Sequence, residues 1–385
     1  MRPIIIIFVF ILSLIASSFL SASNKDLYQK LDVFGDVFDI IKKNYVEDVN
    51  DKEVIEYAIN GMLQSLDPHS GYMNTEIYTE MQAETRGEFG GLGIEVTMEN
   101  GYVKVISPID DTPAAQAGIR PGDYITHIDD KRVLGLSLQD AVEMLRGPVG
   151  SNVIITVVRI GEEDPIEVEI KRAIITVRAV RFNREGNVGY IRLISFSEQA
   201  DKGIKNAVRS LANEIGEPNL VGFILDLRSN PGGLLDQSAK VADNFLDTGE
   251  IVSIKGRNKK DISRFSASRG DLANGKPIIV LINQGSASAS EIVAGALQDH
   301  KRAIIIGEQS YGKGSVQTIF PLKDSSAIKM TTALYFTPSG DSIHEIGIAP
   351  DIEVEFVYDD EDQDEVKDNQ LEYALNLLSK EIIKD

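Results

Sequence analysis

The sequence predicts a multidomain α/β protein with α+β parts, and three patterns along the chain support this fold class. From about residue 180, short apolar runs alternate with helix-length segments, which favours a core of mainly parallel strands. Residues 88–172 contain short strands in which polar and apolar residues alternate, which indicates a separate small unit. Residues 27–66 carry apolar residues at steps of three and four, which is typical of amphipathic helices.

Length and composition are those of a folded protein with two or three domains. The 385 residues are 43% apolar and 25% charged, which is ordinary for a globular protein. The net charge is −20 and no basic cluster stands out, so we do not expect nucleic acid as a partner. The chain has no cysteine, which excludes disulfides, thiol catalysis and thiolate metal sites. The four histidines show no tight ligand spacing, so we expect neither a metal nor a cofactor.

The N-terminus predicts export. A short basic start is followed by a nearly continuous apolar run, Ile4–Ile15, and then by small residues up to Ala22. This order is typical of a secretory signal peptide, here residues 1–22. The alternative is an uncleaved anchor, although the run is at the short end of the roughly 20 residues that span a bilayer. We therefore expect a periplasmic or periplasm-facing protein, either released or tethered to the membrane.

Two helices are predicted before residue 67. The first has an apolar stripe of Leu27, Leu31, Phe34, Phe38, Ile41 and Tyr45. Asn50 is suited to cap the second helix, with Glu53 three residues later. Such stripes usually mark a core or a dimer surface. A homodimer or a higher oligomer, formed through these helices and a C-terminal helix at residues 371–382, is therefore an open expectation.

The order of motifs in residues 88–172 resembles that of a PDZ domain. The motifs are Gly-Leu-Gly-Ile before a strand, Ala-Gly-Ile-Arg-Pro-Gly-Asp at a turn, and Asp-Asp-Lys-Arg-Val after the next strand. This resemblance implies that backbone amides around Gly91, Leu92, Gly93 and Ile94 receive the terminal carboxylate of a peptide. The peptide would add as a strand beside Ile94–Met98, with an apolar last residue in a pocket. The alternative is a PDZ domain that only packs and regulates.

A serine and a lysine follow successive apolar runs of the predicted sheet. Ser288 comes shortly after Ile278–Ile282, and Lys313 comes shortly after Ala303–Ile306. If both runs are parallel strands, the two residues lie at one edge of the sheet and can form a nucleophile–base pair. Ser288 also has a structural interpretation, because Ser288 and Glu291 form a capping-box sequence. The two interpretations are compatible, since amide donors at a helix start stabilise negative charge.

The stretches Gly-Ser-Ala-Ser-Ala-Ser-Glu and Gly-Lys-Gly-Ser-Val-Gln in this region resemble the carboxyl-terminal processing peptidases, also called tail-specific proteases. The resemblance extends over nearly all of the chain after about residue 28. It implies a crotonase-like α/β protease core with an inserted PDZ domain. It also implies that Ser288 is the nucleophile, that Lys313 is the general base and that Gln317 orients this base.

Two groups of backbone amides are candidates for an oxyanion hole. The N–H of Ala289 opens the helix that follows Ser288, so it can face the oxyanion. The glycine pair Gly232 and Gly233 follows the buried strand Val221–Leu227, and the resemblance assigns the second donor to this pair. Which of the two glycines donates is open, and a tight turn without a catalytic role is the alternative.

Other motifs are weaker candidates. His300 is expected at the far end of the helix that Ser288 opens, roughly 15–18 Å away, so it does not complete a triad. Ser326 and Lys329 fit an S-x-x-K pattern. That pattern requires a helix, whereas residues 328–336 are predicted to form a strand.

The predicted function is that of a serine endopeptidase that cuts exported proteins near their C-termini. Its partners would be proteins with unstructured apolar C-termini and an envelope adaptor protein. One alternative, a catalytically inactive PDZ adaptor of the cell envelope, is disfavoured by the intact Ser, Lys and Gln set. Another, an acyl-CoA enzyme, is disfavoured by the signal sequence and the acidic composition. The predicted divisions are a signal peptide (1–22), a helical segment (24–86), a PDZ domain (87–173), a protease core (174–356) and an acidic linker with a C-terminal helix (357–385).

Overall fold

The computed structural model describes residues 27–357 and 368–381, except positions 110, 163, 177, 259 and 261. The predicted signal peptide and the acidic run at residues 359–365 lie outside the described residues. The chain divides into two compact units, Met1–Tyr72 and Met73–Asp385. Within the described part, no helix is both long enough and apolar enough to cross a bilayer.

The described part of the first unit, from residue 27 onwards, contains the two predicted helices. They are α1 (residues 27–44) and α2 (Asp51–Gln64). Asn50 caps α2, because its side-chain oxygen accepts a hydrogen bond from the Lys52 N–H at 3.1 Å. Its side-chain amide donates to Glu53 at 2.9 Å. Most of the predicted apolar stripe on α1 is exposed, including Leu27 and Phe34.

The second unit contains a small antiparallel subdomain that corresponds to the predicted PDZ-like region. It is preceded in the chain by β1 (Gly71–Met73), which begins in the first unit, and by α3 (Thr75–Arg86). Its elements are β2 (Glu88–Gly91), β3 (Ile94–Glu99), β4 (Tyr102–Pro108), α4 (Pro113–Gln116), β5 (Tyr124–Ile128), β6 (Lys131–Arg132), α5 (Leu138–Leu145), β7 (Asn152–Val158), β8 (Ile166–Lys171) and β9 (Ala173–Thr176). The main sheet has the order β3-β4-β5-β7-β8, so β3 is an edge strand. The sequence predicts this region to extend to residue 173, with its last strand at residues 152–159, which corresponds to β7; β8 and β9 were not predicted.

The protease-like core alternates strands and helices. Its elements are β10 (Val180–Glu185), β11 (Val188–Leu193), α6 (Ala200–Ile215), β12 (Gly222–Asp226), α7 (Leu235–Asp243), β13 (Glu250–Gly256), β14 (Ile262–Ser266), β15 (Ile278–Ile282), α8 (Ala289–Asp299), β16 (Ile304–Gly307), β17 (Ser315–Pro321), β18 (Ala327–Phe336), β19 (Ile352–Glu353) and α9 (Asn369–Glu381). The central sheet has the order β10-β11-β12-β15-β16-β19. All pairs from β11 to β19 are parallel, which confirms the predicted parallel core.

Both faces of this central sheet are covered. One face packs against α6, α7 and α8, and Phe223 and Val280 belong to that cluster. The other face packs against α9, where Ile224 and Leu281 meet Leu378. The strands therefore bury side chains in both directions, and the loops after β12, β15 and β16 meet at the carboxyl edge of the sheet.

A second, antiparallel sheet borders this edge. It includes β17, β18, β13 and β14, paired in that order. The sequence prediction contained β18 but neither β13 nor β14. Lys313 lies in the loop between β16 and β17. This second sheet therefore holds the chain that follows Lys313.

Candidate active site

Ser288 occupies a strained position at the start of α8. Its backbone has φ 56° and ψ −112°, a region that costs a residue with a side chain on the order of 1–3 kcal/mol. The Ser288 N–H donates to Glu291 Oε2 at 2.7 Å. The Ser288 carbonyl accepts hydrogen bonds from the N–H groups of Glu291 and Ile292 at 2.9 and 3.1 Å. The capping role predicted for Glu291 is confirmed, and it stabilises the strained residue.

The Glu291 carboxylate joins the serine-bearing helix to the lysine-bearing loop. Glu291 is fully buried and accepts four hydrogen bonds. Oε2 accepts from the N–H groups of Ser288 and Lys313, at 2.7 and 3.0 Å. Oε1 accepts from Ser310 Oγ and the Gly312 N–H, each at 2.6 Å. Because one oxygen binds both amides, the main chains of Ser288 and Lys313 are held next to each other.

The surroundings of Lys313 lower the pKa of its amine, chiefly because the amine is buried. Burial lowers the pKa of the Lys313 amine, and the positive charge of Lys329 lowers it further, while the Glu291 carboxylate opposes both effects. Burial also raises the pKa of Glu291, and the four hydrogen bonds that it accepts oppose that shift. A lysine whose pKa is lowered towards the working pH can accept a proton.

Gln317 lies on β17, the strand that follows Lys313. The Gln317 side-chain nitrogen donates to Ser315 Oγ at 2.9 Å and to Thr331 Oγ1 at 3.2 Å. Among the described residues, no hydrogen bond joins Lys313 Nζ to Gln317 or to Ser288 Oγ. The structure therefore brings the main chains of the serine and the lysine together through Glu291.

The twin-glycine loop packs directly on the nucleophile. A Cβ atom on Gly232 would lie 2.8 Å from Ser288 Cβ and 3.0 Å from the Ala289 nitrogen. The Gly232 N–H donates to Asn230 Oδ1 at 2.9 Å. The N–H groups of Ala289 and Gly233, in contrast, have no acceptor within the part of the chain that the structure describes.

Asn230 is a buried link that the sequence analysis did not identify. Its side-chain nitrogen donates to the Leu193 carbonyl at 2.8 Å. Its own carbonyl accepts from the Ala287 N–H at 3.0 Å and from Ser290 Oγ at 2.9 Å. Asn230 therefore connects the end of β11, the twin-glycine loop and the turn before α8. The sequence contains one signal for this role: Asn230 lies between a strand end and two glycines, and asparagine side chains stabilise such turns.

Tyr335 is a second residue that the sequence analysis did not identify. It lies on β18 and is 2% exposed. Its N–H donates to the Gly314 carbonyl at 3.0 Å, and its hydroxyl donates to the Lys313 carbonyl. No sequence signal pointed to it, because a tyrosine between Leu334 and Phe336 has the pattern of a core residue.

The PDZ-like subdomain offers a candidate carboxylate site at the start of its edge strand. Gly91 ends β2 and Ile94 begins β3. The Leu92 carbonyl accepts from the Ala114 N–H at 2.9 Å, and the Gly93 carbonyl accepts from the Ile109 N–H at 2.8 Å. The N–H groups of Leu92 and Gly93 have no acceptor among the residues described. Such amides can bind a peptide carboxylate.

The alternative motifs do not join the site. His300 caps the far end of α8, as predicted, and its Nε2 lies 2.7 Å from the Glu250 carbonyl. Lys329 lies on β18, so the S-x-x-K pattern is not on a helix. In the described part of the chain, no cluster of three or more histidine or acidic side chains is arranged to hold a metal.

Three family models match the sequence. Residues 187–354 match peptidase family S41, and residues 104–159 match a PDZ domain. Residues 15–77 match the N-terminal domain of the activating protease CtpB.

Individual proteins match over most of the chain. The carboxy-terminal-processing protease of Bartonella bacilliformis is 54% identical over 344 residues, which cover 89% of this chain and 79% of that protein. The carboxy-terminal processing protease CtpA of Bacillus subtilis is 36% identical over 339 residues, which cover 87% of this chain and 71% of that protein. The structure of a photosystem II D1 C-terminal processing protease matches with a TM-score of 0.50 and 29% identity, covering 84% of this chain and 92% of that one.

These matches define a serine-type peptidase with a PDZ domain, which acts on protein substrates. The chain belongs to peptidase family S41, in the group of the carboxy-terminal-processing proteases. The predicted family is confirmed, and so is the fold class, with its N-terminal helical segment, PDZ domain and α/β protease core. The domain boundaries and the roles of individual residues remain predictions.

Proposed function

We propose that this peptidase uses Ser288 and Lys313 as a catalytic dyad to cut exported proteins near their C-termini. The observation that carries the proposal is the buried Glu291 carboxylate, one oxygen of which binds the main-chain amides of both residues, at 2.7 and 3.0 Å. This arrangement holds the backbones of the nucleophile and the base in place, so that the reaction requires only their side chains to move.

In the proposed reaction, Ser288 Oγ attacks the peptide carbonyl and the neutral Lys313 amine accepts the Ser288 proton. The resulting ammonium then donates this proton to the leaving amine as the C–N bond breaks. Water enters, loses a proton to Lys313 and attacks the acyl-enzyme ester, which releases the new C-terminus and restores Ser288. Lys313 reaches Ser288 Oγ by rotation about its own side-chain bonds.

The oxyanion is assigned to two backbone donors. The Ala289 N–H lies at the start of α8, where the helix dipole also favours negative charge. The second donor is the Gly233 N–H, because the Gly232 N–H is engaged by Asn230 at 2.9 Å. Gly232 can serve only if Asn230 releases it. Gln317 would orient the Lys313 ammonium through its side-chain oxygen, since its nitrogen is bound to Ser315 and Thr331.

The PDZ domain is assigned to substrate choice. A terminal carboxylate would bind the amides of Leu92 and Gly93, within the loop from Gly91 to Ile94, and the peptide would add along β3, which is an edge strand. Proteins with loose, apolar C-termini are therefore the proposed substrates. The apolar N-terminal run supports export to the periplasm, and the exposed stripe on α1 supports an oligomer or an adaptor as a further partner.

The proposal is tested with an unfolded reporter protein that ends in an apolar tail. Wild type, Ser288→Ala and Lys313→Ala are compared, with Lys323→Ala as the control for loss of an exposed lysine. We expect cleavage by wild type and Lys323→Ala only, and mass spectrometry should locate the cuts near the C-terminus. Undiminished cleavage by Lys313→Ala would refute the dyad. Absence of both cleavage and fluorophosphonate labelling in wild type would favour an inactive adaptor.

A further inference from the structure

The buried hydroxyl of Tyr335 has no role in the mechanism described so far. Its ring belongs to the large cluster that packs between the central sheet and α6–α8. A buried tyrosine hydroxyl usually needs a hydrogen-bond partner. Here the acceptor is the main-chain carbonyl of Lys313, the residue assigned as the base.

Tyr335 and Glu291 together fix the main chain of Lys313 on both sides. The Lys313 N–H donates to Glu291 Oε2 at 3.0 Å, and the Lys313 carbonyl accepts from Tyr335. The neighbouring Gly314 carbonyl accepts from the Tyr335 N–H at 3.0 Å. Space is also restricted, because a Cβ atom on Gly314 would lie 2.2 Å from the His344 nitrogen. The Lys313 backbone, from which the side chain extends, is therefore held in one position.

The tyrosine hydroxyl stays protonated. Burial raises the pKa of Tyr335, hydrogen bonding with the Ser288 side chain opposes this shift, and the Glu291 charge adds to it. Tyr335 therefore keeps its proton at neutral pH and does not act as a base. That single proton is donated to the Lys313 carbonyl.

We propose that Tyr335 is a positioning residue of the dyad, whose hydroxyl holds the main-chain carbonyl of Lys313 while Glu291 holds its N–H. When the Lys313 side chain turns to the Ser288 hydroxyl, the tyrosine keeps the lysine backbone in place. This inference rests on the proposed dyad and adds to it a group that orients the base.

The test compares Tyr335→Phe with wild type on the tailed reporter. Phenylalanine retains the ring and removes only the hydroxyl. We expect kcat to fall about 10- to 100-fold, because small misplacements of reacting groups cost this much, while KM changes less than about 2-fold because substrate binding elsewhere is intact. The freed Lys313 segment becomes better hydrated, so the pKa of its amine rises and the pH at half-maximal activity moves upwards.

Two further variants separate positioning from a general structural effect. Tyr190→Phe is the matched control, because Tyr190 also donates its hydroxyl inside the core, to Asp226 at 2.7 Å. It should keep both the kcat and the pH midpoint of wild type. Substitution of Tyr335 by 3-fluorotyrosine retains the hydroxyl, so it should recover most of the activity that phenylalanine loses.

The outcomes also distinguish this inference from the proposed function. If wild type itself neither cleaves the reporter nor reacts with a fluorophosphonate, the proposed function fails. If wild type is active and folded Tyr335→Phe has the same kcat and pH midpoint, the positioning role is wrong. It is equally wrong if the 3-fluorotyrosine protein is as slow as Tyr335→Phe, because the ring rather than the hydroxyl would then matter.

Discussion

The central sheet of the protease core and the sheet of the PDZ domain expose their strands differently. In β12 and β15 of the core, every residue is buried, because helices cover both faces. In β7 of the PDZ domain, buried and more exposed residues alternate, and β3 is left at an open edge. Strands β12 and β15 therefore have no free surface, and the candidate catalytic residues Ser288 and Lys313 lie at the ends of elements rather than within these strands. The PDZ domain keeps an edge and a loop available for recognition.

This difference predicts that the two domains affect different kinetic parameters. Changes in the loops of the core should lower kcat, whereas changes in the PDZ loop should raise KM and leave the chemistry intact. The following experiments test that prediction, from the largest expected effect to the smallest.

Gly232→Ala should lower kcat about 100- to 1,000-fold, the usual cost of a disrupted oxyanion site. The new methyl group would lie 2.8 Å from Ser288 Cβ, at a residue with φ +106°. Steady-state cleavage of the tailed reporter measures the effect. Gly340→Ala is the control, since Gly340 has φ +92° but open space around it. Equal losses of kcat in the two variants would show that backbone strain, rather than displacement of the loop, is responsible.

Activity should rise with pH, because the reaction needs the neutral form of Lys313. Below the pKa of Lys313, kcat/KM should increase about tenfold per pH unit and then level off. Burial and the Lys329 charge lower this pKa, so Lys329→Ala should raise it and move the profile to higher pH. Profiles of wild type and Lys329→Ala, measured with chemistry rate-limiting, check both statements. A profile unchanged by Lys329→Ala would contradict the assignment of Lys313 as the titrating group.

Gly93→Ala should raise KM for the tailed reporter about 3- to 10-fold, because part of the carboxylate and strand contacts is lost. The added Cβ would lie 2.4 Å from Thr112 and would force the loop open. The rate of fluorophosphonate labelling of Ser288 should not change. Gly122→Ala serves as the control, because Gly122 has a similar φ of +86° in open space. A kcat loss without a KM effect would contradict tail recognition by this loop.

Ser288→Gly should unfold at a temperature about 1–4 °C above that of Ser288→Ala. Glycine relieves the strain of φ 56° and ψ −112°, whereas alanine retains it, and the greater freedom of glycine in the unfolded chain offsets part of the gain. Both variants should be inactive, so the comparison isolates stability. Calorimetry on the two purified proteins provides the measurement. Equal unfolding temperatures would mean that position 288 stores no strain.

The sequence predicted those parts of the fold whose signal is local. The runs at β12, β15 and β16 are continuously apolar because both of their faces are buried, and a parallel sheet follows from that pattern. β13 and β14 gave no such signal, since their exposed and buried residues do not follow one regular period. β8 was not predicted, although apolar and polar residues alternate in Ile166–Lys171. The reason is that the PDZ-like order of motifs was already complete with β7.

The same limit applies to the candidate site. Ser288, Lys313 and the capping function of Glu291 are visible in short motifs. The bond from Glu291 to the Lys313 amide bridges 22 residues, and the contact of Tyr335 depends on how β17 pairs with β18. Contacts of this kind follow from tertiary structure, so no local pattern predicts them.

The order of synthesis gives the shared Glu291 carboxylate a further consequence. Ser288 leaves the ribosome well before Lys313 and β18 do. Until those segments fold, Glu291 cannot bind the Ser288 and Lys313 amides together. In a nascent or denatured chain, the proposed nucleophile therefore has the ordinary reactivity of a serine. Its proposed activation depends on the folding that brings Lys313 to the Glu291 carboxylate.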